Sequence, residues 1–105
     1  MNRRELIWTK AAEADLQTIY EYHEDSETGR GDRFLALIDD ALELLRVFPE
    51  MAPVYSPPFR RLLFASRYHG IFYVIEDRGI IIHAVADLRR DPAELKARFK
   101  RAKGD

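Results

Sequence analysis

Arginines at the end of an apolar strand are the first feature that bears on chemistry. Residues 80–82 are an unbroken isoleucine run, and the chain then passes His83 and Asp87 to reach Arg89-Arg90-Asp91-Pro92. Guanidinium groups do not stay buried without partners. Arg89 and Arg90 are therefore placed where the strand leaves its sheet, either exposed to meet a ligand or paired with Asp87, Asp91 and Glu94 to pin the next element. A second pair, Arg60-Arg61, lies in the apolar run FRRLLF at 59–64, and Arg67 follows. An arginine fork matches two oxygens of a phosphate or carboxylate. Two histidines accompany these cations. His69 sits at a strand entrance, where Arg-x-His spacing projects Arg67 and His69 to one side. His83 lies inside an apolar strand, where a hydrogen-bonded structural role competes with that of a base titrating near neutrality. Tyr73, between Phe72 and Val74, reads as a packed core tyrosine.

Other chemistries are excluded. The chain has no cysteine, hence no disulfide framework, thiolate metal site or thiol nucleophile. His23, His69 and His83 form no i,i+4 pair and no H-E-x-x-H pattern, so neither a metal nor another cofactor is expected. The first ten residues lack the apolar core of a signal peptide, and no apolar run approaches the ~20 residues that span a bilayer. A soluble, cytoplasmic protein without a membrane partner is expected. The net charge of -1 hides an asymmetry. Residues 1–58 carry six basic and twelve acidic side chains, and residues 59–105 carry eleven and six, so the halves stand at -6 and +5. A basic half of this kind faces nucleic acid or an acidic partner, or else it complements the acidic half within one fold.

The elements that position these residues follow from periodicity. At 105 residues and 47% apolar content, the chain 1–105 suits one domain with a real core. Residues 4–8 alternate as a first strand, after which Thr9 can cap a helix. Over 10–25 the stripe Ala12, Leu16, Ile19, Tyr20 and His23 predicts that helix, and SETGRG at 26–31 breaks it with a connection of about six residues. Phe34, Ile38, Ala41, Leu42, Leu45 and Phe48 trace a second helix that stops at Pro49, giving a helical hairpin. The segment 49–58 holds four of the five prolines and reads as an irregular crossing. Strands are predicted over 59–64, 70–76 and 80–85, the last two joined by a tight turn at Asp77-Arg78-Gly79. Asp91-Pro92-Ala93-Glu94 then opens a terminal helix with Leu95, Phe99 and Ala102 on one side. The order β-α-α-β-β-β-α is an α+β fold, a helical hairpin on a largely antiparallel four-stranded sheet.

In order and spacing, Ala14-Asp15-Leu16 with Ile19 and Tyr22, Phe34 with LELLRVFP at 42–49, Arg60-Arg61-Leu62, Ile71-Phe72-Tyr73-Val74, and 80–91 with its terminal Arg89-Arg90-Asp91 cover nearly the whole chain. Together they resemble the RelE/ParE superfamily of bacterial toxins, also labelled plasmid-stabilisation proteins. The resemblance implies a toxin of a type II toxin-antitoxin pair, held inactive by a cognate antitoxin in a hetero-oligomer. RelE-like members are ribosome-dependent messenger RNA endonucleases; ParE-like members poison DNA gyrase and lack the nuclease residues.

Metal-free RNA cleavage needs a base for the 2'-hydroxyl, cations for the phosphorane and an acid for the leaving oxygen. A nuclease would use Arg61, Arg89 or Arg90 on phosphate and His69 or His83 as base. Against that pattern, no tyrosine or histidine follows His83, and 49–58 has no lysine. Asp87 also stands where many ParE-like chains have a histidine, free to pair with Arg89 or Arg90. The reading taken forward is a ParE-like toxin that meets its target through Arg60, Arg61, Arg89 and Arg90 and the last helix around Phe99. The alternatives are the nuclease and a degenerate module that only binds antitoxin. An antitoxin segment would dock on the helical hairpin or a sheet edge, over Tyr20, Tyr22 and Leu37.

Overall fold

Thr9 decides where the first strand stops. In the computed structural model, which describes residues 3–65 and 67–102, Thr9 Oγ1 accepts from Ala12 N at 3.1 Å and so caps helix α1 (Lys10–Ser26). Strand β1 (Leu6–Trp8) is therefore only three residues long. Helix α2 (Arg30–Val47) follows after three residues rather than the six expected. Glu24 is the reason: its carboxylate accepts from Gly29 N and Gly31 N, each at 3.0 Å, and supplies the acceptors that a serine or threonine cap would otherwise provide. Gly31 permits the close approach, since a Cβ there would lie 2.8 Å from the Tyr20 ring. The predicted stripes are the buried faces except at Phe48, which caps α2 outside its last helical turn and is exposed. Phe34, Ile38, Ala41, Leu42 and Leu45 are in the core with Ala12, while Leu16 and Ile19 pack against it.

The proline-rich segment corrects the four-stranded expectation. Val54–Ser56 forms a strand, β2, between Pro53 and Pro57, paired antiparallel to β3 (Phe59–Phe64) with a register shift after Val54. It is tolerated because it is an edge strand whose own residues are not proline. β4 (His69–Glu76) and β5 (Gly79–Asp87) form the expected hairpin across a two-residue turn. Gly79 has φ +147, and a Cβ there would sit 2.5 Å from the Glu5 carbonyl oxygen, so no other residue fits where β1 passes. Helix α3 (Ala93–Ala102) starts where D-P-A-E placed it, with Asp91 Oδ1 accepting from Ala93 N at 3.0 Å.

The sheet order is β1-β5-β4-β3-β2, antiparallel except for the parallel β1–β5 pair, in which Leu6 faces Ile80 and Trp8 faces Ile82. The hairpin covers one face, packing against Phe64, Ile71, Tyr73, Ile80, Ile82 and Val85. On the other face α3 lays Phe99 and Leu95 over Phe59, Phe72, Val74 and Ala84. Alternation in β5 is reset by a bulge: Tyr73 faces Ile82 but Phe72 faces Ala84, so His83 is the extra residue and Val85 joins Ile80 and Ile82 on the hairpin face. No helix is long and apolar enough to cross a membrane among the described residues.

One ion pair joins three elements at that bulge. Arg98 of α3 holds Asp15 of α1 at 2.7 and 3.0 Å, Asp15 Oδ2 also accepts from Val85 N at 3.0 Å, and Arg98 Nη1 donates to His83 O at 3.2 Å. Both side chains are under one-fifth exposed, so removing one strands the other. Asp15→Ala is expected to cost about 2–3 kcal/mol. That lowers the melting midpoint by roughly 10 °C or more. Glu94→Ala, which removes the exposed carboxylate 3.9 Å from the same guanidinium, should leave it unchanged. Calorimetry on the two variants checks both.

Candidate functional site: a groove at the end of the sheet

β4 begins and β5 ends at the same end of the sheet, and there the last turns of α1 and the first turns of α3 stand apart. Between them lies a groove of about 540 Å³, whose walls include Tyr22, His23, Arg61, His69, Asp87 and Arg90.

Asp87 fixes one wall. Its carboxylate accepts from Arg89 Nε at 3.0 Å and Nη2 at 2.9 Å and from Arg89 N at 3.0 Å. These bonds hold its pKa down at about 2. Arg89 in turn lies 4.7 Å over the Tyr68 ring. Arg90 behaves differently. Its backbone N donates to Asp87 O, but its side chain has no acidic partner among the described residues, and neither does Lys96 on the same groove. Of the two alternatives read for Arg89-Arg90, pairing describes Arg89 and exposure describes Arg90. The residue that pins α3 is Arg98.

The histidines separate onto opposite faces of the sheet. His69 is 5% exposed, with its ring 5.1 Å from Phe34, 5.6 Å from Phe64 and 5.8 Å from His23. It is the first residue of β4, so its side chain turns to the hairpin core beside its strand partner Asp87. The placement beside Arg67 is thus corrected: Arg67 sits exposed on the turn at φ 69, whereas His69 is buried. His23 is buried as well, and the Nδ1 atoms of both histidines are buried without a hydrogen-bond partner among the described residues. Burial is the main cause that lowers both pKa values, with Asp87 opposing it. His83 lies on the α3 face, edge-on to Phe59 at 5.2 Å, its pKa lowered chiefly by burial. His69 and His83 cannot converge on one substrate.

The remaining predicted residues divide between structure and surface. Arg60 donates to Ala52 O at 2.8 Å and Glu50 O at 3.4 Å, clamping the crossing segment alongside Tyr73, whose hydroxyl donates to Pro49 O at 2.6 Å. Tyr73 is fully buried, as read. Arg61 faces the groove, 5.0 Å over the Tyr55 ring. Phe99 is stacked on Phe59 at 4.3 Å and 4% exposed, so its ring holds α3 to the sheet instead of standing on the surface. Tyr20 is half-buried, its hydroxyl donating to Asp32 at 3.2 Å, whereas Tyr22 and Leu37 are exposed. Arg98, Tyr55, Tyr68 and Lys96 were not singled out by the sequence reading, and Asp15 entered it only among the residues that carry the resemblance. Asp15 and Arg98 carried a usable signal, since each is a charge set inside an apolar stripe.

A family model described as "ParE toxin of type II toxin-antitoxin system, parDE" matches residues 6–92. The chain belongs to the ParE toxin family. The match stops at Pro92, so α3 and its Arg98 and Phe99 lie beyond the part of the chain that carries the ParE signature. A solved structure described as a chromosomal ParDE toxin-antitoxin system from P. aeruginosa is similar, with a TM-score of 0.71 and 20% identity over 82% of this chain and 97% of that one. No curated protein sequence matches. The fold is thus the α+β architecture of a ParE-like chain, with one more strand than the periodicity indicated.

The buried imidazoles give this ParE-family site a pH signature. Each histidine's folded pKa lies below its ordinary 6.5, so below about pH 6.5 the unfolded chain takes up protons first. Stability is full above that value and falls as the pH drops through 6 to 5. Asp87 titrates near 2 and does not contribute in this window. Thermal melts from pH 8 to 5 should show the decline, and His69→Phe should shallow it.

Proposed function

We propose that this chain is the toxin of a type II pair that arrests bacterial growth from within the cytoplasm by binding an essential protein such as DNA gyrase, and that a cognate antitoxin neutralises it in a hetero-oligomer. Family membership supports the toxin. The observation that carries the mode of action is how charge is committed around the groove. Arg61, Arg90 and Lys96 line it without acidic partners among the described residues, whereas its two imidazoles are buried and shifted toward the neutral form. Such cations can hold an anionic patch of a partner even though the exposed carboxylates of Asp91 and Glu94 share the groove, and neither enclosed imidazole offers an accessible base to a phosphodiester.

The endonuclease reading meets that obstacle directly. Of its residues, Arg61, Arg90 and His69 line the groove, Arg89 is occupied by Asp87, and His83 is not part of its lining and lies on the opposite face of the sheet from His69. The Asp87–Arg89 pair favours a second reading, a member that keeps antitoxin binding and has lost toxicity, because one of the two terminal arginines is neutralised from within.

Induced expression without antitoxin separates these readings. Growth arrest with intact transcripts and altered plasmid supercoiling is expected. Codon-phased cuts in messenger RNA by primer extension would overturn the binding mode for the nuclease, and undisturbed growth would establish the inactive module. Arg61→Ala with Arg90→Ala removes a half-buried and an exposed arginine, neither in an ion pair among the described residues, so stability should fall by no more than about 1 kcal/mol, and arrest should be relieved at least ~10-fold in surviving colonies.

A further inference from the structure

His23 and His69 meet where the end of α1 lies against the end of the sheet. His23 stands in the last turn of α1 and His69 opens β4, with ring centroids 5.8 Å apart. Phe34 of α2 lies 5.1 Å from both rings, and Phe64 of β3 lies 5.6 Å from His69. One aromatic cluster thus joins both helices of the hairpin to two strands, and both imidazoles belong to the groove wall. The first half of α1 is held differently, by the bonds of Asp15 to Val85 N and Arg98. His23 is eight residues further on, about 12 Å along the helix, and there the attachment is the packing of rings. Neither ring is held by a hydrogen bond at Nδ1, which is buried and unpartnered in each among the described residues.

The charges around this joint tolerate two neutral imidazoles and oppose two charged ones. Asp87 of β5, the strand partner of His69, favours a proton on either ring, but its carboxylate is already bonded by Arg89. Arg89 opposes protonation of both, Arg30 of α2 opposes it at His23, and a charged His23 opposes it at His69. The phenols of Tyr22, edge-on to His23, and Tyr68, under Arg89, complete the surroundings and bring no positive charge. Two imidazolium ions sharing one engaged carboxylate inside a shell of phenylalanines are not stable there. His69 is fixed by the strand ladder of β4, whereas His23 sits near a helix end beside the open groove, so His23 is the ring that leaves. We infer that the His23–His69 contact is a proton-operated latch: it is shut while both rings are neutral, and once both are protonated the last turns of α1 lift off the sheet and the groove widens. Both rings titrate below 6.5 in the folded chain, so the latch is shut at neutral pH and opens as the pH falls below that value. The device belongs to the chain alone and stands or falls separately from the identity of the partner that enters the groove.

The test is a distance measurement across the groove. The chain has no cysteine, so Asp25→Cys with Ala97→Cys, both exposed positions, places one spin label on the end of α1 and one on α3. Between about pH 7.5 and about pH 5 the label distance should lengthen by at least ~3 Å, in step with ring protonation followed by NMR. His23→Phe in the labelled chain keeps a ring that cannot charge, and its distance should stay within ~1 Å over the same range. His83→Phe, on the opposite face, should move like the parent. Hydrogen exchange on the unlabelled chain, corrected for the intrinsic effect of pH, should show ~10-fold loss of protection over 19–26 with 71–75 unchanged. Melting curves at neutral pH establish that His23→Phe is folded, and His23→Gln replaces it if it is not. A constant distance while both rings protonate overturns the latch, as do rings that take no proton down to about pH 5. Lengthening that survives the loss of His23 overturns it too, and protection lost across β4 as well as α1 assigns the change to unfolding of the whole domain instead.

Discussion

The fold turns on the ion pair between Asp15 and Arg98. Thr9 ends β1 after three residues, so β5 has a strand beside it only as far as Ile82. From His83 onward its outer edge presents peptide groups that need partners. The bulge at His83 turns the His83 carbonyl and the Val85 N–H to that edge, and Asp15 and Arg98 take one each while holding each other. A carboxylate from the hairpin layer and a guanidinium from the opposite layer thus close the sheet where no strand does. Ion pairs at this depth offset much of their own desolvation; what this one adds is registration, since α1, β5 and α3 are fixed by the same four groups.

The groove inherits its geometry from that registration. With α3 anchored through Arg98 and Phe99, the segment that leaves β5 turns back within a few residues, and Arg89 is brought onto Asp87 and Tyr68. Arg90 is left outside the pair. Close packing of Phe34 and Phe64 around His69 shifts that imidazole toward its neutral form. Charges that serve the fold are therefore satisfied, and Arg61, Arg90 and Lys96 are left along one opening together with the carboxylates of Asp91 and Glu94.

How much of this was legible follows the range of the forces involved. Thr9, the D-P-A-E start of α3, the tight turn at Asp77-Arg78-Gly79, which proves one residue shorter because Gly79 opens β5, and the bounds of FRRLLF depend on neighbours within four residues, and each was legible. The edge strand β2 was missed because its pairing partner, not its own proline-flanked sequence, makes it a strand. The bulge at His83 was missed for a related reason: alternation is a strictly local signal, and the reset is fixed by Asp15, 70 residues away along the chain. His69 looked like a loop end because the sequence shows the glycine after it but not the Phe34 and Phe64 rings that enclose it. Asp15 and Arg98 were legible in principle. Ala12, Asp15 and Ile19 share a face of α1, and Leu95, Arg98, Phe99 and Ala102 share one of α3, so each charge announced a partner from elsewhere.

The split of charge into an acidic first half and a basic second half then acquires a structural meaning. If the halves existed to complement one another, ion pairs would cross between them. Among the described residues the pairs Arg3–Glu43, Arg33–Glu27 and Arg46–Glu43 stay within the first half, and Arg78–Glu76, Arg89–Asp87 and Arg98–Glu94 stay within the second. Asp15–Arg98 alone crosses. One pair leaves nearly all of the imbalance unspent, with the negative charge on the helical hairpin and free cations at the far end of the sheet. Two surfaces of opposite sign on one small domain are suited to two partners of opposite sign.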